Sequence, residues 1–450
     1  MSVVDALIEA LGMDIVLTGD RIPEKSRSDQ SFSGRHLPLA VIRPISIAEV
    51  SAALRICDTY RQPVVPQGGL TGLAGGANAG LGEVALSLDR LAGIEDIDLS
   101  AGTMTVLAGT VLEVAQKAAE AAGFLLPIDL GARGSCQIGG NLSTNAGGIR
   151  VIAHGMTRDN VLGLEAVLAD GTIISSLNRM QKNNTGYDIK QLFIGAEGTL
   201  GIITRAVLKL KPLPRGRATA LCGLARFEDV VALLHAARQH LNGLSAFELM
   251  WETFFRFSAK AEGLAFFEQD HPFTVIIEQS GGEDGALETF LGEMFEQGLV
   301  TDALIAQSDK ERERFWTVRE GAALDRLPRL INFDVSLPIG VLDLYAGAVT
   351  VTLEQEFPGI HVSVFGHVAD SNIHLCISAG DIDDATEHRI DTVVYEFVRQ
   401  YQGSISAEHG IGTLKRDYLP YSRNPEELAL MRRIKTALDP HGIMNPGKVI

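Results

Sequence analysis

The sequence predicts an α+β protein of two main parts, and three observations support this prediction. Glycine is concentrated between residues 68 and 148, in long loops that separate short helices and strands. The break K211-P-L-P-R-G-R217 then separates this region from the rest of the chain. Beyond it, amphipathic helices (227–241 and 284–297) alternate with strands such as F273-T-V-I-I-E, which is typical of an antiparallel sheet packed against helices.

Within the glycine-rich part, each element has a local reason. The segment from Ile47 to Cys57 has helical apolar spacing, and the apolar stretch from Pro63 to Pro66 reads as a buried strand. The segment V161-L-G-L-E-A-V-L-A-D-G-T-I-I-S-S predicts a hairpin that turns at Asp170-Gly171. At the far end of the chain, a helix starting near Glu426 leads into a tail rich in proline and glycine.

Composition limits the class of protein. With 450 residues, 46% hydrophobic and 21% charged, the chain should form two or three globular domains. A net charge of −17 argues against nucleic acid and anionic membranes as partners. The N-terminus is acidic and predicts a short amphipathic helix, and no apolar run is long enough to span a membrane. Four scattered cysteines indicate a reducing compartment, so a cytoplasmic protein is expected.

Two glycine-rich loops, Gln67–Gly76 and Asp129–Gly148, are the first candidate binding feature. Such loops expose backbone N–H groups with little side-chain bulk in the way, which suits a diphosphate. Neither has the G-x-G-x-x-G spacing of a Rossmann dinucleotide site. One such segment alone is usually only a flexible loop. Two of them, rich in Thr, Ser and Asn, favour a large, extended ligand.

The stretch V364-F-G-H-V-A-D-S-N-I-H-L-C376 raises a second question, because it holds two histidines. It predicts a hairpin with Asp370-Ser371 as a two-residue turn, which would place His367 and His374 directly opposite each other. Their Cβ atoms would then lie about 5 Å apart, a spacing that allows a shared metal ion. The alternative is an incidental pair of polar residues. His361 would lie about 20 Å from His367 along the strand, too far to be a ligand.

A third candidate ligand follows in G403-S-I-S-A-E-H-G-I-G-T-L-K-R416, where Glu408 and His409 are adjacent. In a regular strand, neighbouring side chains face opposite sides, so both could reach one site only at a bend. Gly410 and Gly412 make such a bend possible.

Three stretches resemble the FAD-binding domain of the vanillyl-alcohol-oxidase/p-cresol-methylhydroxylase flavoproteins. They are P66-Q-G-G-L-T-G-L-A-G-G76, the loop Asp129–Gly148, and N183-N-T-G-Y-D-I-K-Q-L-F-I-G-A-E-G-T-L-G-I-I-T204. Within that family, the likeness is to D-2-hydroxyglutarate and D-lactate dehydrogenases and extends from about residue 35 over nearly the whole chain. The resemblance implies a PCMH-type FAD-binding domain at 1–214, a substrate or cap domain with a metal site at 215–410, and a C-terminal segment at 411–450 that packs on the FAD domain.

The resemblance also implies which residues bind FAD. Pro66 to Leu73 would surround the diphosphate, Glu197 to Ile203 would hold the adenosine side, and Asn445 would return to the flavin. The implied residues are Pro66, Gln67, Gly68, Gly69, Leu70, Thr71, Gly72, Leu73, Asp129, Gly134, Ser135, Gly139, Gly140, Asn141, Thr144, Gly147, Gly148, Glu197, Gly198, Gly201, Ile203 and Asn445. Leu70 stands where relatives often have Gly or Asn. No His or Cys in the first loop offers a covalent attachment point, so FAD is expected to be noncovalent.

For the chemistry, the resemblance implies that His367, His374 and Glu408 ligate Zn²⁺ or another divalent metal, and that His409 is the catalytic base. The metal would lower the pKa of the substrate hydroxyl, His409 would take its proton, and C2 would pass a hydride to the flavin. Arg319, in F315-W-T-V-R-E320, would hold the substrate carboxylate. Lys415 and Arg416 would add positive potential, although a solvated pair is an equal alternative.

The substrate prediction depends on two departures from the D-2-hydroxyglutarate enzymes. Asn332 stands where they have a lysine, and Cys376 stands where they have an asparagine. Both changes remove groups that would hold a second carboxylate, and a buried carboxylate without partners is strongly disfavoured. The sequence therefore predicts a D-lactate-like monocarboxylate, with D-2-hydroxyglutarate as the alternative if Arg326 or Arg329 supplies the missing cation.

Other classes of protein remain open at this point. A zinc hydrolase without flavin could use the histidines and Glu408, and a noncatalytic flavin-binding subunit could use only the glycine loops. An oxidase that reduces oxygen would share every feature named above. For a dehydrogenase, the expected partners are a small D-2-hydroxy acid and an electron acceptor such as an electron-transfer flavoprotein, a quinone or a cytochrome, with assembly as a homodimer.

Overall fold

The computed structural model describes all 450 residues, and the chain forms two compact units. The first unit comprises Met1–Gly148, His154–Leu213 and Glu408–Ile450, and the second comprises Ile149–Ala153 and Pro214–Ala407. The sequence break at 211–217 therefore contains the point where the chain leaves the first unit for the long stretch Pro214–Ala407. The chain returns to it immediately before His409.

The regular elements follow in chain order. The helices are α1 (Val3–Leu11), α2 (Ile47–Tyr60), α3 (Leu112–Ala121), α4 (Ile138–Ser143), α5 (Val151–His154), α6 (Lys190–Phe193), α7 (Phe227–His240), α8 (Glu252–Ala261), α9 (Ala286–Glu296), α10 (Asp309–Glu320), α11 (Leu342–Glu356), α12 (Asp384–Gln400) and α13 (Pro425–Leu438). The strands are β1 (Val16–Leu17), β2 (Ala40–Ile42), β3 (Val64–Gln67), β4 (Val84–Ser87), β5 (Ile94–Asp98), β6 (Thr103–Leu107), β7 (Phe124–Leu125), β8 (Val161–Val167), β9 (Ile173–Ser176), β10 (Ile202–Lys209), β11 (Lys211–Pro212), β12 (Arg217–Leu224), β13 (Leu244–Trp251), β14 (Phe273–Ser280), β15 (Asp302–Ile305), β16 (Ile331–Ser336), β17 (His361–Gly366) and β18 (Asn372–Ser378). None of the helices combines the length and the apolar character needed to cross a bilayer.

Two larger sheets form the first unit, each with its own apolar core. One has the strand order β1-β2-β4-β3, in which β2, β4 and β3 run parallel. Helix α2 packs on this sheet because its apolar residues recur at helical spacing and are fully buried; they are Val50, Ala53, Leu54 and Cys57. The other sheet is antiparallel with the order β5-β6-β10-β8-β9, and it contains the predicted hairpin β8–β9.

The N-terminal helix α1 confirms the expected amphipathic segment. Ser2 and Asp5 form a reciprocal capping box at its start, and Leu7 is fully buried in the core of the four-stranded sheet. The acidic residue in the first turn is therefore a helix-start signal.

The second glycine-rich loop differs from the expected irregular segment, because it contains helix α4. A Cβ atom on Gly139 would lie 2.7 Å from the Cβ of Ala108, so this glycine allows close packing of the helix against the residue that follows β6. Part of the glycine content is therefore explained by packing rather than by ligand binding.

A seven-stranded sheet organises the second unit, with the order β15-β12-β14-β13-β17-β18-β16. Every neighbouring pair is antiparallel, which confirms the predicted α+β class of this half. Side chains of directly paired residues point to the same face of a sheet. The register therefore places Glu248 of β13, Phe365 of β17, His374 of β18 and Asp334 of β16 on one face.

The histidine hairpin has a longer turn than predicted. Strand β17 ends at Gly366, a short 3₁₀ turn spans Val368–Asp370, and Ser371 adopts a left-handed φ of 66°. The expected direct opposition of His367 and His374 is therefore wrong, since His374 pairs with Phe365 on one side and Asp334 on the other. His367 instead begins the turn, and its carbonyl oxygen accepts hydrogen bonds from Asp370 and Asn372.

Candidate functional site

A cleft of about 310 Å³ opens in the first unit between the two glycine-rich loops. Its volume falls in the range of small-molecule sites. The predicted cofactor-binding residues that line it are Pro66, Gln67, Gly68, Gly69, Leu70, Thr71, Gly72, Leu73, Gly139, Gly140, Asn141, Thr144, Gly147, Glu197, Gly198, Gly201 and Ile203. The wall also includes residues that the sequence did not indicate, among them Asp29, Ala77, Cys136 and Gln137.

Five predicted cofactor-binding residues lie outside the wall of the cleft; they are Asp129, Gly134, Ser135, Gly148 and Asn445. Asp129 and Gly148 pack against each other where the second loop begins and ends, since a Cβ on Gly148 would meet the Asp129 carbonyl oxygen at 2.2 Å. Gly134 and Ser135 belong to a turn fixed on α3, where the Glu113 N–H donates to the Arg133 carbonyl. The four residues of the second loop, Asp129, Gly134, Ser135 and Gly148, therefore shape that loop without lining the cleft.

Close contact between the two loops explains one glycine and one strained residue. A Cβ atom on Gly69 would meet the Ser135 carbonyl oxygen at 2.2 Å, so only glycine fits at this position. The next residue, Leu70, has a left-handed φ of 59°. That conformation costs a residue with a side chain roughly 1–2 kcal/mol. Gly and Asn adopt this conformation at a lower cost than leucine does.

The polar atoms of the cleft wall fit a ligand with hydrogen-bond donors. Gln67 is 1% exposed and its amide nitrogen donates to the carbonyl oxygens of Ser26 and Ala77, which turns its Oε1 away from both. Oε1 of Gln67 and Oε1 of Gln137 are both buried without a hydrogen-bond partner in the protein. Buried acceptors are normally satisfied. Together with the small-residue loops, they fit an extended cofactor that carries hydroxyl and N–H groups, as FAD does.

Glu197, which the resemblance assigns to the adenosine side of FAD, lines the cleft and is also bonded to the protein's own backbone. Its carboxylate accepts hydrogen bonds from the backbone N–H groups of Ile411 (2.7 Å) and Gly412 (2.9 Å). Burial raises the pKa of this carboxyl group, although both backbone bonds lower it. Asn445 donates from Nδ2 to the carbonyl oxygens of Gly76 (3.0 Å) and Glu197 (2.7 Å). Glu197 and Asn445 therefore hold the turn after His409 and the C-terminal tail against the first glycine loop.

Glu408 and His409 line the same cleft as the glycine loops, and both are half-buried. Gly410 and Gly412 take left-handed φ values of 80° and 52°, so the predicted bend is present. Lys415 is 5% exposed rather than solvated. Burial raises the pKa of Glu197, and the charge of Lys415 opposes this rise without cancelling it. Arg416 is half-exposed and donates to the Gly447 carbonyl oxygen.

The two candidate metal-ligating histidines of the second unit lie side by side. Their ring centroids are 5.2 Å apart and a nitrogen of each ring lies within 4.8 Å of the other. His367 Nδ1 lies 2.7 Å from Oε1 of Glu248, and His374 Nδ1 lies 3.8 Å from Oδ1 of Asp334. Carboxylates behind histidine rings are a recurring feature of metal sites, where they fix the ring and its tautomer. Nε2 is therefore the expected coordinating nitrogen of each ring.

Arg319 completes a buried chain of charges on this face of the sheet. Its Nη2 lies 2.6 Å from Oε2 of Glu248, whose other oxygen contacts His367, and its guanidinium stacks on the ring of Phe365. Burial alone would raise the pKa of Glu248, but the charges of His367 and Arg319 outweigh it and the pKa lies below the ordinary glutamate value. The predicted carboxylate-binding arginine thus also supports a histidine through Glu248.

Sequence reasoning missed both carboxylates that face the histidines. Glu248 precedes His367 by more than a hundred positions and Asp334 lies on an edge strand, so neither stands near a histidine in the chain. Only the register of the seven-stranded sheet brings them together. One signal was present, because a charged residue inside an otherwise apolar strand such as L244-S-A-F-E-L-M-W251 usually has a buried partner.

At the candidate metal site, we expect Glu248→Gln to weaken zinc binding about 10- to 100-fold, the usual effect of losing a carboxylate behind a metal-ligating histidine. The substitution keeps the shape of the side chain and removes its charge. Zinc affinity would be measured by competition with a chromophoric chelator. Glu165→Gln is the matched control, because Glu165 is also buried and paired with an arginine but lies in the first unit. Equal zinc affinity in both variants would contradict the prediction.

Comparison with known proteins agrees with this architecture. The FAD binding domain family matches residues 38–176, and the family of FAD-linked oxidases, C-terminal domain, matches residues 213–449. Among solved structures, p-cresol methylhydroxylase with substrate bound has a TM-score of 0.79 at 16% identity, covering 99% of this chain and 96% of that one. Alkyldihydroxyacetonephosphate synthase has a TM-score of 0.77 at 16% identity and covers 99% and 85%. The chain is therefore a flavoprotein of the vanillyl-alcohol-oxidase/p-cresol-methylhydroxylase fold.

Curated relatives narrow this class further. Mitochondrial D-2-hydroxyglutarate dehydrogenase of Bos taurus is 39% identical over 99% of this chain and 83% of its own length. D-2-hydroxyglutarate dehydrogenase of Xanthomonas citri is 39% identical over 92% and 89%. A putative mitochondrial D-lactate dehydrogenase of Schizosaccharomyces pombe is 38% identical over 91% and 81%. The chain belongs to the FAD-dependent D-2-hydroxyacid dehydrogenases, which removes the flavin-free hydrolase and the noncatalytic subunit from consideration.

Proposed function

We propose that this enzyme uses noncovalent FAD and a divalent metal ion to oxidise D-2-hydroxyglutarate to the 2-oxo acid. The observation that carries the proposal is that Glu408 and His409 line the same cleft as the two glycine-rich loops. A candidate metal ligand and a candidate base therefore stand at the predicted flavin site. Purified protein with a flavin spectrum, assayed with a dye acceptor beside hydrogen peroxide detection, tests the activity and separates a dehydrogenase from an oxidase.

The metal site of the proposal consists of His367, His374 and Glu408. Strand pairing and chain connectivity support it, because Asp334 is the cross-strand partner of His374 and also accepts a hydrogen bond from the Ala407 N–H (3.2 Å). Glu408 follows Ala407 directly in the chain. Two imidazoles and one carboxylate are a common ligand set for Zn²⁺ and leave coordination positions for substrate.

When bound, FAD supplies the hydride acceptor and the metal supplies a Lewis acid. The protein's own groups supply position and proton transfer. His409 accepts the proton of the substrate hydroxyl as general base. Arg319, already oriented by Glu248 and Phe365, binds the substrate carboxylate through its remaining N–H groups. The small-residue loops would hold the cofactor diphosphate through their backbone N–H groups.

D-2-hydroxyglutarate is the first candidate substrate because two of the three curated relatives described above carry that activity in their names. A D-lactate-like monocarboxylate, which the sequence predicts, is the second candidate and rests on one observation. The Cys376 thiol donates to Oδ1 of Asn332 at 3.1 Å, so the two residues that replace polar groups of the D-2-hydroxyglutarate enzymes are paired with each other. Arg326 and Arg329 are both exposed, but Arg329 is ion-paired with Glu387 and Asp384, so Arg326 is the more available cation of that segment.

Asn332→Lys is expected to raise kcat/KM for D-2-hydroxyglutarate relative to D-lactate by about tenfold or more. The added ammonium group would pair with the second carboxylate, and a charge-assisted hydrogen bond contributes roughly 1.5–3 kcal/mol. Asn332 is exposed, so the lysine can be accommodated. Asn332→Gln is the control, because it lengthens the side chain without adding a charge. If the wild type has a clearly higher kcat/KM for D-lactate than for D-2-hydroxyglutarate, D-lactate becomes the first candidate substrate and D-2-hydroxyglutarate the second.

The electron acceptor (an electron-transfer flavoprotein, a quinone or a cytochrome) and assembly as a homodimer stay predictions from the sequence.

A further inference from the structure

Asp29 lies in the wall of the cofactor cleft, although it precedes the region that matches the FAD binding domain family. The residue is only 2% exposed. The segment that carries it is tied to the first glycine loop, because Gln67 Nε2 donates to the Ser26 carbonyl oxygen (2.9 Å) and the Asp29 N–H donates to Oδ1 of Asn78 (2.6 Å). The N-terminal segment is thus built into the cleft.

The carboxylate of Asp29 is held in one orientation. Its Oδ1 accepts hydrogen bonds from the backbone N–H (3.0 Å) and the hydroxyl (2.5 Å) of Ser31. Its Oδ2 is buried and has no hydrogen-bond partner in the protein. Gly72 of the first loop stands opposite, since a Cβ atom there would lie 3.5 Å from Oδ2. One oxygen is therefore used to fix the side chain, and the other lies beside Gly72 in the cleft wall without a partner.

A buried carboxylate oxygen without a donor is strongly disfavoured, so a ligand that fills the cleft should supply one. A phosphate has no donor at neutral pH and would be repelled by the negative charge. The vicinal hydroxyls of a sugar or polyol are suitable donors, and FAD carries them on its ribityl chain and on its adenosine ribose. We propose that Asp29 is a cofactor-binding residue whose Oδ2 accepts a hydrogen bond from one of these hydroxyl groups.

Titration of the apoprotein with FAD, followed by flavin and tryptophan fluorescence, tests this assignment. Asp29→Asn turns an acceptor into an amide and should weaken FAD binding about tenfold or more, as expected when a charged acceptor is lost. Ser31→Ala is the matched control, because it removes a contact to Oδ1 and leaves Oδ2 in place; its FAD affinity should change by less than about threefold. Separate titrations with FMN and with ADP identify the hydroxyl. A loss confined to FMN assigns the ribityl chain, and a loss confined to ADP assigns the ribose.

Three outcomes overturn the proposal. They are unchanged FAD affinity in Asp29→Asn, tighter FAD binding through relief of charge repulsion, or a loss for FAD that neither FMN nor ADP shares. If Asp29→Asn does not fold, Gly72→Ala approaches Oδ2 from the opposite side with ordinary contact distances and should weaken FAD binding in the same way. The inference rests on the FAD assignment but not on the substrate. Wild-type apoprotein that binds no FAD would remove the proposed function itself, whereas a fault in the Asp29 assignment would leave it intact.

Discussion

Replacing His409 with asparagine is expected to lower kcat by about 10²–10⁴-fold, the usual contribution of a general base. Asparagine keeps a polar side chain of similar reach but cannot take up a proton. The histidine stands in the wall of the cofactor cleft, on a turn fixed by Glu197, so the variant should fold and retain FAD. Metal binding should also persist, because the proposed ligands are His367, His374 and Glu408.

The measurement is steady-state turnover together with zinc and flavin content of the same preparation. In the wild type, kcat/KM should fall as the pH falls, because protonated His409 cannot accept the hydroxyl proton. The variant should lose this acid limb of the profile. His361→Asn is the control, since His361 is half-buried on β17 and its Nε2 contacts Ser363 Oγ at 2.7 Å. If His409→Asn loses zinc but keeps its turnover, the roles of metal ligand and general base have been assigned to the wrong residues.

The sequence could predict features that depend on local chemistry. Glycine content located both cofactor loops, and Gly69 and Gly412 sit where a Cβ would strike backbone oxygens at 2.2 Å and 2.0 Å. The bend after His409 followed from Gly410 and Gly412, which have positive φ. The antiparallel class of the second half followed from its alternation of strands with amphipathic helices. In each case the cause lies within a few neighbouring residues.

Where a feature depends on strand register or on distant segments, the sequence prediction was wrong or the feature was missed. The histidine hairpin was expected to turn at two residues, but the 3₁₀ turn at Val368–Asp370 moves His367 out of the strand. Glu248 and Asp334 reach the histidines through pairing across four strands of the sheet. Asp29 reaches the cleft from the N-terminal segment through Asn78 and Gln67. The neighbouring sequence does not identify the partners in any of these contacts, although the charge of Glu248 inside an apolar strand indicates that this residue has a partner.

Removing the proposed metal ion should abolish turnover, with an expected loss on the order of 10³-fold or more, while FAD stays bound. A Lewis acid beside the substrate contributes several kcal/mol to catalysis, and His409 alone cannot replace it. Retention of FAD is expected because the loops that line its cleft belong to the first unit, whereas two of the three proposed metal ligands belong to the second. The metal and the flavin should therefore be separable.

Dialysis against a chelator, followed by absorption spectra and a dye-coupled assay, makes this comparison. The flavin spectrum should remain nearly unchanged, and stoichiometric Zn²⁺ should restore activity to the same preparation. Glu248→Gln sharpens the experiment, because its weaker site should lose the metal at a lower chelator concentration while Glu165→Gln behaves as the wild type does. Full activity in verified metal-free enzyme would refute the metal-dependent mechanism. Loss of FAD along with the metal would contradict the expected separation of the two. It would indicate coupling through Glu408, which lines the same cleft as the cofactor loops.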